Sequence, residues 1–182
     1  MKAVIGAAKV SDAEAIARVH VDTWRTTYAG IMSADHLATL SYEKLAAGWR
    51  SILSNPDNPA FTLVAKCDDE VVGFATGGTE RGGDPIYRGE LWGIYVLKVW
   101  QRKNVGRRLT LAVVEELQRR GFSSMLVWVL KDNPYRVFYK RLDGALVGEK
   151  GIEIGGKNLI EVSYGWSDLC VMVATCGDKY DT

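Results

Sequence analysis

Arg102, Lys103, Arg107 and Arg108 cluster around Gly106, directly after the apolar run Leu91 to Leu97. The chemistry that spacing offers is anion binding. The segment Gln101-Arg102-Lys103-Asn104-Val105-Gly106-Arg107-Arg108 reads as a tight basic loop between a strand and a helix. The first four N–H groups of a helix lack internal partners, and the aligned peptide dipoles make that end partly positive. A phosphate placed there satisfies those donors. Gly106 has no Cβ, so a pyrophosphate can approach the main chain while the four cations raise the local potential. The competing reading is a plain basic turn before an amphipathic helix. Two other phosphate loops are excluded, since there is no G-x-x-x-x-G-K-[ST] and no G-x-G-x-x-G after a strand.

Such a loop needs a strand before it and a helix behind it. Glu90 to Leu97 supplies the strand. Val105, Leu109, Ala112, Val113 and Leu117 recur at helical spacing, with Arg108, Glu115, Glu116, Arg119 and Arg120 off that face and Gly121 as the stop. Upstream, Ala3 to Ala8 reads as a strand. Ser11-Asp12-Ala13-Glu14 has the S-x-x-E form of a capping box and predicts a helix from about residue 12 to Tyr28. A second helix is expected over Ser41 to Leu53. Phe61 to Ala65 and Val71 to Thr76 form a hairpin around Asp68-Asp69-Glu70, followed by a flexible turn over Gly77 to Gly83. Downstream lie a strand over Ser124 to Leu130, a helix over Asn133 to Leu142, and strands over Ala145 to Ile154 and Leu159 to Trp166. The order predicts an α/β fold with a mixed sheet and helices on its faces, not a regular βαβ alternation.

The 182 residues suit a single domain over 1–168 with a C-terminal tail over 169–182. Lys plus Arg (23) nearly balance Asp plus Glu (22), so no global field argues for nucleic acid or membrane as a partner. Cys67, Cys170 and Cys176 are odd in number and lack metal spacing with His20 or His36, so free thiols in a reducing cytoplasm and no metal are expected. No long apolar signal core opens the chain, and Leu169 to Ala174 is too short to span a bilayer.

The stretch from Glu90 to Gly144 resembles the GNAT family of acyl-CoA-dependent N-acetyltransferases, and the element order extends the likeness over almost the whole chain. The family loop Q/R-x-x-G-x-G/A is matched by Gln101 to Gly106, with Asn104 in place of the first glycine. Asparagine is the residue that, after glycine, best tolerates a left-handed backbone. The resemblance implies a central, mostly antiparallel sheet splayed at the cofactor site, with acetyl-CoA as co-substrate. It implies that the main chain of Ile94, Tyr95 and Val96 holds the pantetheine arm, and that Arg102, Lys103, Asn104, Val105, Gly106 and Arg107 hold the pyrophosphate. Core packing is the other role open to Ile94 and Val96.

Asn133 to Leu142 is similar to the family segment N-x-x-A-x-x-(F/Y)-Y-x-x-L-G, which implies a cofactor contact for Asn133 and, for Tyr139, a place beside the thioester as general acid. Arg136 replaces the usual small residue and Asp143 the usual glycine. A helix-capping asparagine and a buried aromatic are the alternatives. Glu90, eleven positions before Gln101, stands where several family members carry a catalytic base, against a solvated strand-edge charge. The Val96 N–H would then polarise the thioester carbonyl.

The family commonly builds its acceptor pocket from the first two helices and the last hairpin, which here offer Trp24, Arg25, Tyr28, Trp49, Tyr164 and Trp166. Trp24, Arg25 and Tyr28 are the expected acceptor contacts: aromatic faces attract an alkylammonium, and Arg25 suits a carboxylate. His20 shares the apolar stripe with Trp24 and reads as a satisfied structural histidine. The function implied is acetyl transfer to a primary amine of a small molecule, polyamine or peptide. The alternative is a non-catalytic acyl-CoA-binding domain. A homodimer through the apolar Leu169 to Ala174 segment is a further expectation.

Overall fold

The computed structural model describes residues 3–177. In chain order the elements are β1 (Val4–Ala7), α1 (Ala13–Thr27), α2 (Ala34–Ala38), α3 (Tyr42–Ser54), β2 (Phe61–Cys67), β3 (Glu70–Thr79), β4 (Gly89–Val96), α4 (Val105–Arg119), β5 (Met125–Leu130), α5 (Val137–Arg141), β6 (Ala145–Ile154), β7 (Lys157–Trp166) and α6 (Leu169–Gly177). The seven strands form one sheet in the order β1-β2-β3-β4-β5-β7-β6. All neighbours are antiparallel except β4 and β5. The mixed sheet expected from the element order is therefore observed.

Two cores lie on opposite faces. Val105, Leu109, Val113 and Leu117 of α4 pack with Leu91, Val96, Met125 and Val127 on one face. On the other, Ile16 and Val19 of α1 and Trp49 of α3 pack against Val64, Val71 and Phe74. A third cluster holds Met32, Leu37, Leu130 and Leu159 under the chain that links α1 to α2.

Several local expectations are corrected. Ser11 and Glu14 form no capping box. The Lys9 N–H donates to Asp12 Oδ2 at 2.9 Å, Lys66 Nζ pairs with Asp12 Oδ1 at 2.6 Å, and Glu14 pairs with Arg50 of α3 at 2.7 Å. Partners distant in sequence therefore outcompete the local motif. The short helix α2 was not signalled; Ser33 caps it by accepting the His36 N–H at 3.2 Å. Gly77 to Thr79 belong to β3, not to a turn. A Cβ on Gly77 would stand 2.9 Å from the Phe61 ring and 3.0 Å from a Val113 methyl, so this glycine serves close helix–sheet packing. The helix expected over Asn133 to Leu142 shortens to Val137–Arg141, with the Asn133 side chain accepting the Tyr135 N–H at 2.8 Å in an Asx turn. The chain from residue 169 begins as α6, with Leu169 and Met172 buried in the α4-side core; residues 178–182 of the expected tail lie outside the described residues.

Candidate active site

Strand β4 does most to build the site. It pairs with β5 only at Gly89↔Met125 and Glu90↔Leu126, after which the two strands separate. Against β3 its register slips, with Leu91 opposite Gly77 and Gly93 opposite Thr76, so Trp92 is an inserted bulge residue. Because side chains alternate along a strand, the bulge resets which face follows. Leu91, Ile94 and Val96 pack towards α4, and Tyr95 packs towards α1 and α3.

At the end of the splay the chain makes its basic turn. Gln101 Nε2 donates to the Val96 carbonyl at 3.1 Å and ties the turn back to the strand. Arg102 and Asn104 both take left-handed conformations, at φ 60° and 63°. Asn104 directly precedes α4, so the substitution for glycine keeps the turn, as its tolerance of that conformation predicts. A Cβ on Gly106 would meet the Phe138 ring at 3.6 Å, an ordinary contact, so packing within the chain does not require glycine there. Arg102 and Lys103 are exposed, and Lys103 Nζ sits 4.9 Å over the Trp100 ring. Arg108 donates to the Ala3 carbonyl and is directed to the N-terminal strand.

Tyr28, Tyr95 and Tyr139 lie within electrostatic reach of one another. Burial raises all three phenols above the ordinary tyrosine range, so each stays protonated at neutral pH. Tyr139 stacks on Tyr164 with ring centroids 5.7 Å apart, and Arg136 Nη1 donates to the Tyr164 hydroxyl at 3.3 Å. Asn133 Nδ2 donates to the Tyr28 hydroxyl at 3.2 Å, which brings an expected cofactor contact and an expected acceptor contact together. Trp24 packs on Tyr28 at 4.8 Å.

Glu90 lies at the closed end of the splay, 1% exposed. Its Oε2 accepts the Arg81 N–H at 3.1 Å and Arg81 Nε at 3.0 Å, and its Oε1 accepts Arg81 Nη2 at 2.5 Å. One lone pair of Oε1 remains beyond these three bonds. The Arg81 guanidinium also lies 4.7 Å over the Trp92 ring. Arg25 is engaged elsewhere: Nε donates to the Leu37 carbonyl, Nη2 to the Leu40 carbonyl and Nη1 to the Tyr42 hydroxyl, tying α1 to the α2–α3 connection.

His20 stacks on Tyr95 at 4.6 Å with Trp24, Trp49 and Phe74 around it, and its Nδ1 is buried with no hydrogen-bond partner. The expectation of a satisfied histidine is therefore corrected: the ring packs among aromatic side chains, none of which bonds that nitrogen. Burial pulls its pKa down to about 4. Arg81, Trp92 and Phe74 were missed as site residues. The Trp92-Gly93 pair was the available signal, because a glycine inside a strand marks a bulge. Among the described residues no group of three His, Cys, Asp or Glu side chains is placed to hold a metal ion. No helix there is long and apolar enough to cross a membrane.

A sheet parted beyond a parallel pair, leading into a left-handed basic turn at a helix N-terminus, is the architecture of N-acetyltransferases. Residues 15–144 match the model of the acetyltransferase (GNAT) family, and the chain belongs to that family. It is 40% identical over 168 residues to the uncharacterized N-acetyltransferase YuaI of Bacillus subtilis strain 168, across 91% of this chain and 93% of that protein. Among solved structures it resembles PaiA N-acetyltransferase from Thermoplasma acidophilum in complex with coenzyme A (TM-score 0.65, 22% identity, 91% of this chain and 100% of that one). It also resembles YncA from Salmonella typhimurium with its cofactor acetyl-CoA (TM-score 0.66, 21% identity, 93% and 95% covered). At these identities the structural likeness is one of fold.

Proposed function

We propose that this protein transfers the acetyl group of acetyl-CoA to a primary amine of a small molecule, by direct attack of the amine in a ternary complex. The observation that carries this reading is the separation of β4 from β5 beyond Glu90, which leads straight to Asn104 and the N-terminus of α4. The chain fits the co-substrate there. Glycine at position 106 has no packing reason within the protein, and a side chain would obstruct an anion approaching that main chain. Arg102, Lys103, Asn104, Val105, Gly106 and Arg107 would hold the pyrophosphate, Ile94, Tyr95 and Val96 the pantetheine arm, with Asn133 beside it. Acetyl-CoA, when bound, supplies the activated thioester.

The residues then divide the proton work. The Val96 N–H orients and polarises the carbonyl. The remaining lone pair of Glu90 Oε1 takes the proton of the acceptor ammonium, with Arg81 fixing the carboxylate in place. The Tyr139 hydroxyl, protonated because it is buried, gives its proton to the departing thiolate. Trp24 and Tyr28 contribute to the acceptor side; Arg25 acts through the loop it ties down.

Thiol release from acetyl-CoA, measured with a panel of primary amines, tests the reading. Amine-dependent release with intersecting initial-rate patterns is expected. Binding of acetyl-CoA with no acetylation of any amine would establish the non-catalytic alternative instead.

A further inference from the structure

We propose that the acceptor is a primary amine bearing one neutral, ring-sized apolar body, seated in a cavity between α1, α3 and the bulge of β4. This rests on the acetyltransferase reading and names its acceptor class. The cavity measures about 220 Å³, and its walls include His20, Trp49, Phe74, Trp92, Gly93 and Tyr95. An apolar cavity of about 150 Å³ already admits benzene, while drug-sized ligands occupy roughly 300 Å³ or more. The space therefore suits a single ring system with a short arm and is too small for a multi-residue peptide.

The wall chemistry selects further. No lining residue is an acid or a lysine or arginine, and His20 is neutral at physiological pH because burial holds its pKa near 4. A second ammonium or a carboxylate held inside the cavity would find no counter-charge in its lining and would be penalised by desolvation. An aromatic body instead meets the offset and edge-on ring contacts that Trp49, Phe74 and Tyr95 already make with one another and with His20. The unpartnered His20 Nδ1 is the one unused polar atom in this wall that burial has stripped of water.

Position joins the cavity to the chemistry. Gly93 and Tyr95 line it and belong to the strand whose main chain would carry the pantetheine. A Cβ on Gly93 would lie 3.0 Å from the Tyr95 ring, so the glycine lets that ring fold back over the strand at the cavity wall. Tyr95 is in turn grouped with Tyr28 and Tyr139.

The test compares 2-phenylethylamine and tryptamine with spermidine and trialanine as acceptors. The ring amines are expected to show kcat/KM about tenfold or more above the others. Ile52, 41% exposed at the cavity rim on α3, is changed to Phe; Ala60→Leu serves as a second variant that narrows the same space. Each variant should lower kcat/KM for 2-phenylethylamine about tenfold, leaving methylamine turnover and acetyl-CoA affinity within about twofold of wild type. Preference for spermidine or trialanine, or ring-amine kinetics untouched by both variants, would overturn the proposal. A separate titration without acetyl-CoA follows tryptophan emission, because Trp49 and Trp92 line the cavity. Saturable binding of 2-phenylethylamine that both variants weaken supports the cavity even if no amine is acetylated, in which case the acetyltransferase reading alone fails. Absence of saturable binding with normal acetylation of spermidine overturns the cavity proposal alone.

Discussion

Arg81 grips both carboxylate oxygens of Glu90 with three hydrogen bonds, two from its guanidinium and one from its own main chain. The pair is nine residues apart in sequence and closes the end of β4 where the strand still touches β5. Glu90→Gln is expected to lower kcat by about 10²-fold or more while acetyl-CoA affinity stays within about twofold. Steady-state rates and calorimetric titration of the co-substrate check this. A pH–rate profile that keeps its acid limb in Glu90→Gln removes Glu90 as the base.

Tyr139→Phe should slow acetyl transfer about 10²-fold. Wild-type turnover in that variant would leave Tyr139 as packing alone.

Tyr28, Tyr95 and Tyr139 also make an alkaline prediction. Their folded pKa values lie above the unfolded value near 10, so the unfolded state loses these protons first as pH rises. Their contribution to stability is complete below about pH 10 and is lost above it. Phenolate absorbance from Tyr28, Tyr95 and Tyr139 should appear only together with unfolding.

Asn104 sits at φ 63°, where a residue with an ordinary side chain is strained. Asn104→Ala should destabilise the protein by about 1 kcal/mol and weaken acetyl-CoA binding, whereas Asn104→Gly should do neither. Chemical denaturation and calorimetry with the two variants decide it.

His20 makes an acid prediction of the opposite sign. Its folded pKa of about 4 lies below the unfolded 6.5, so the unfolded state binds the proton first as pH falls. Stability attributable to neutral His20 is present above about pH 6.5 and lost towards pH 4, by roughly 2 to 3 kcal/mol. His20→Phe should flatten this part of the denaturation profile relative to wild type between pH 7 and pH 4.

Leu169 is fully buried in the core beside α4. Leu169→Ala should lower stability by about 2 to 5 kcal/mol with no change of mass in light scattering, because the lost contacts are within the chain. A dimer that dissociates in this variant would assign α6 to an interface.

The parts of the fold legible in the sequence were those with their own period. The α4 stripe from Val105 to Leu117 and the strand before it carried the loop, the sheet class and the family likeness. The misreadings have a common physical origin in partners from elsewhere in the chain. Asp12 is claimed by Lys66 and Glu14 by Arg50, so a local cap motif could not reveal the actual bonds. Gly77 looked like a turn because glycine serves turns and close packing alike, and only the Phe61 and Val113 contacts separate the two. The Arg81 grip on Glu90 and the Trp92 bulge depend on strand register, which the residue pattern alone does not specify.

The brief pairing of β4 with β5 has a kinetic consequence. Strands β1 to β4 are joined by antiparallel neighbours and β6 to β7 by a tight hairpin, while the two halves of the sheet meet as strands only at Gly89↔Met125 and Glu90↔Leu126. The parallel seam needs α4 laid across the sheet and is held by only two residue pairs, so it is the least tightly held junction between neighbouring strands. Amide exchange should therefore be fastest along the seam-facing edges of β4 and β5, and filling the gap with co-substrate should slow it there first.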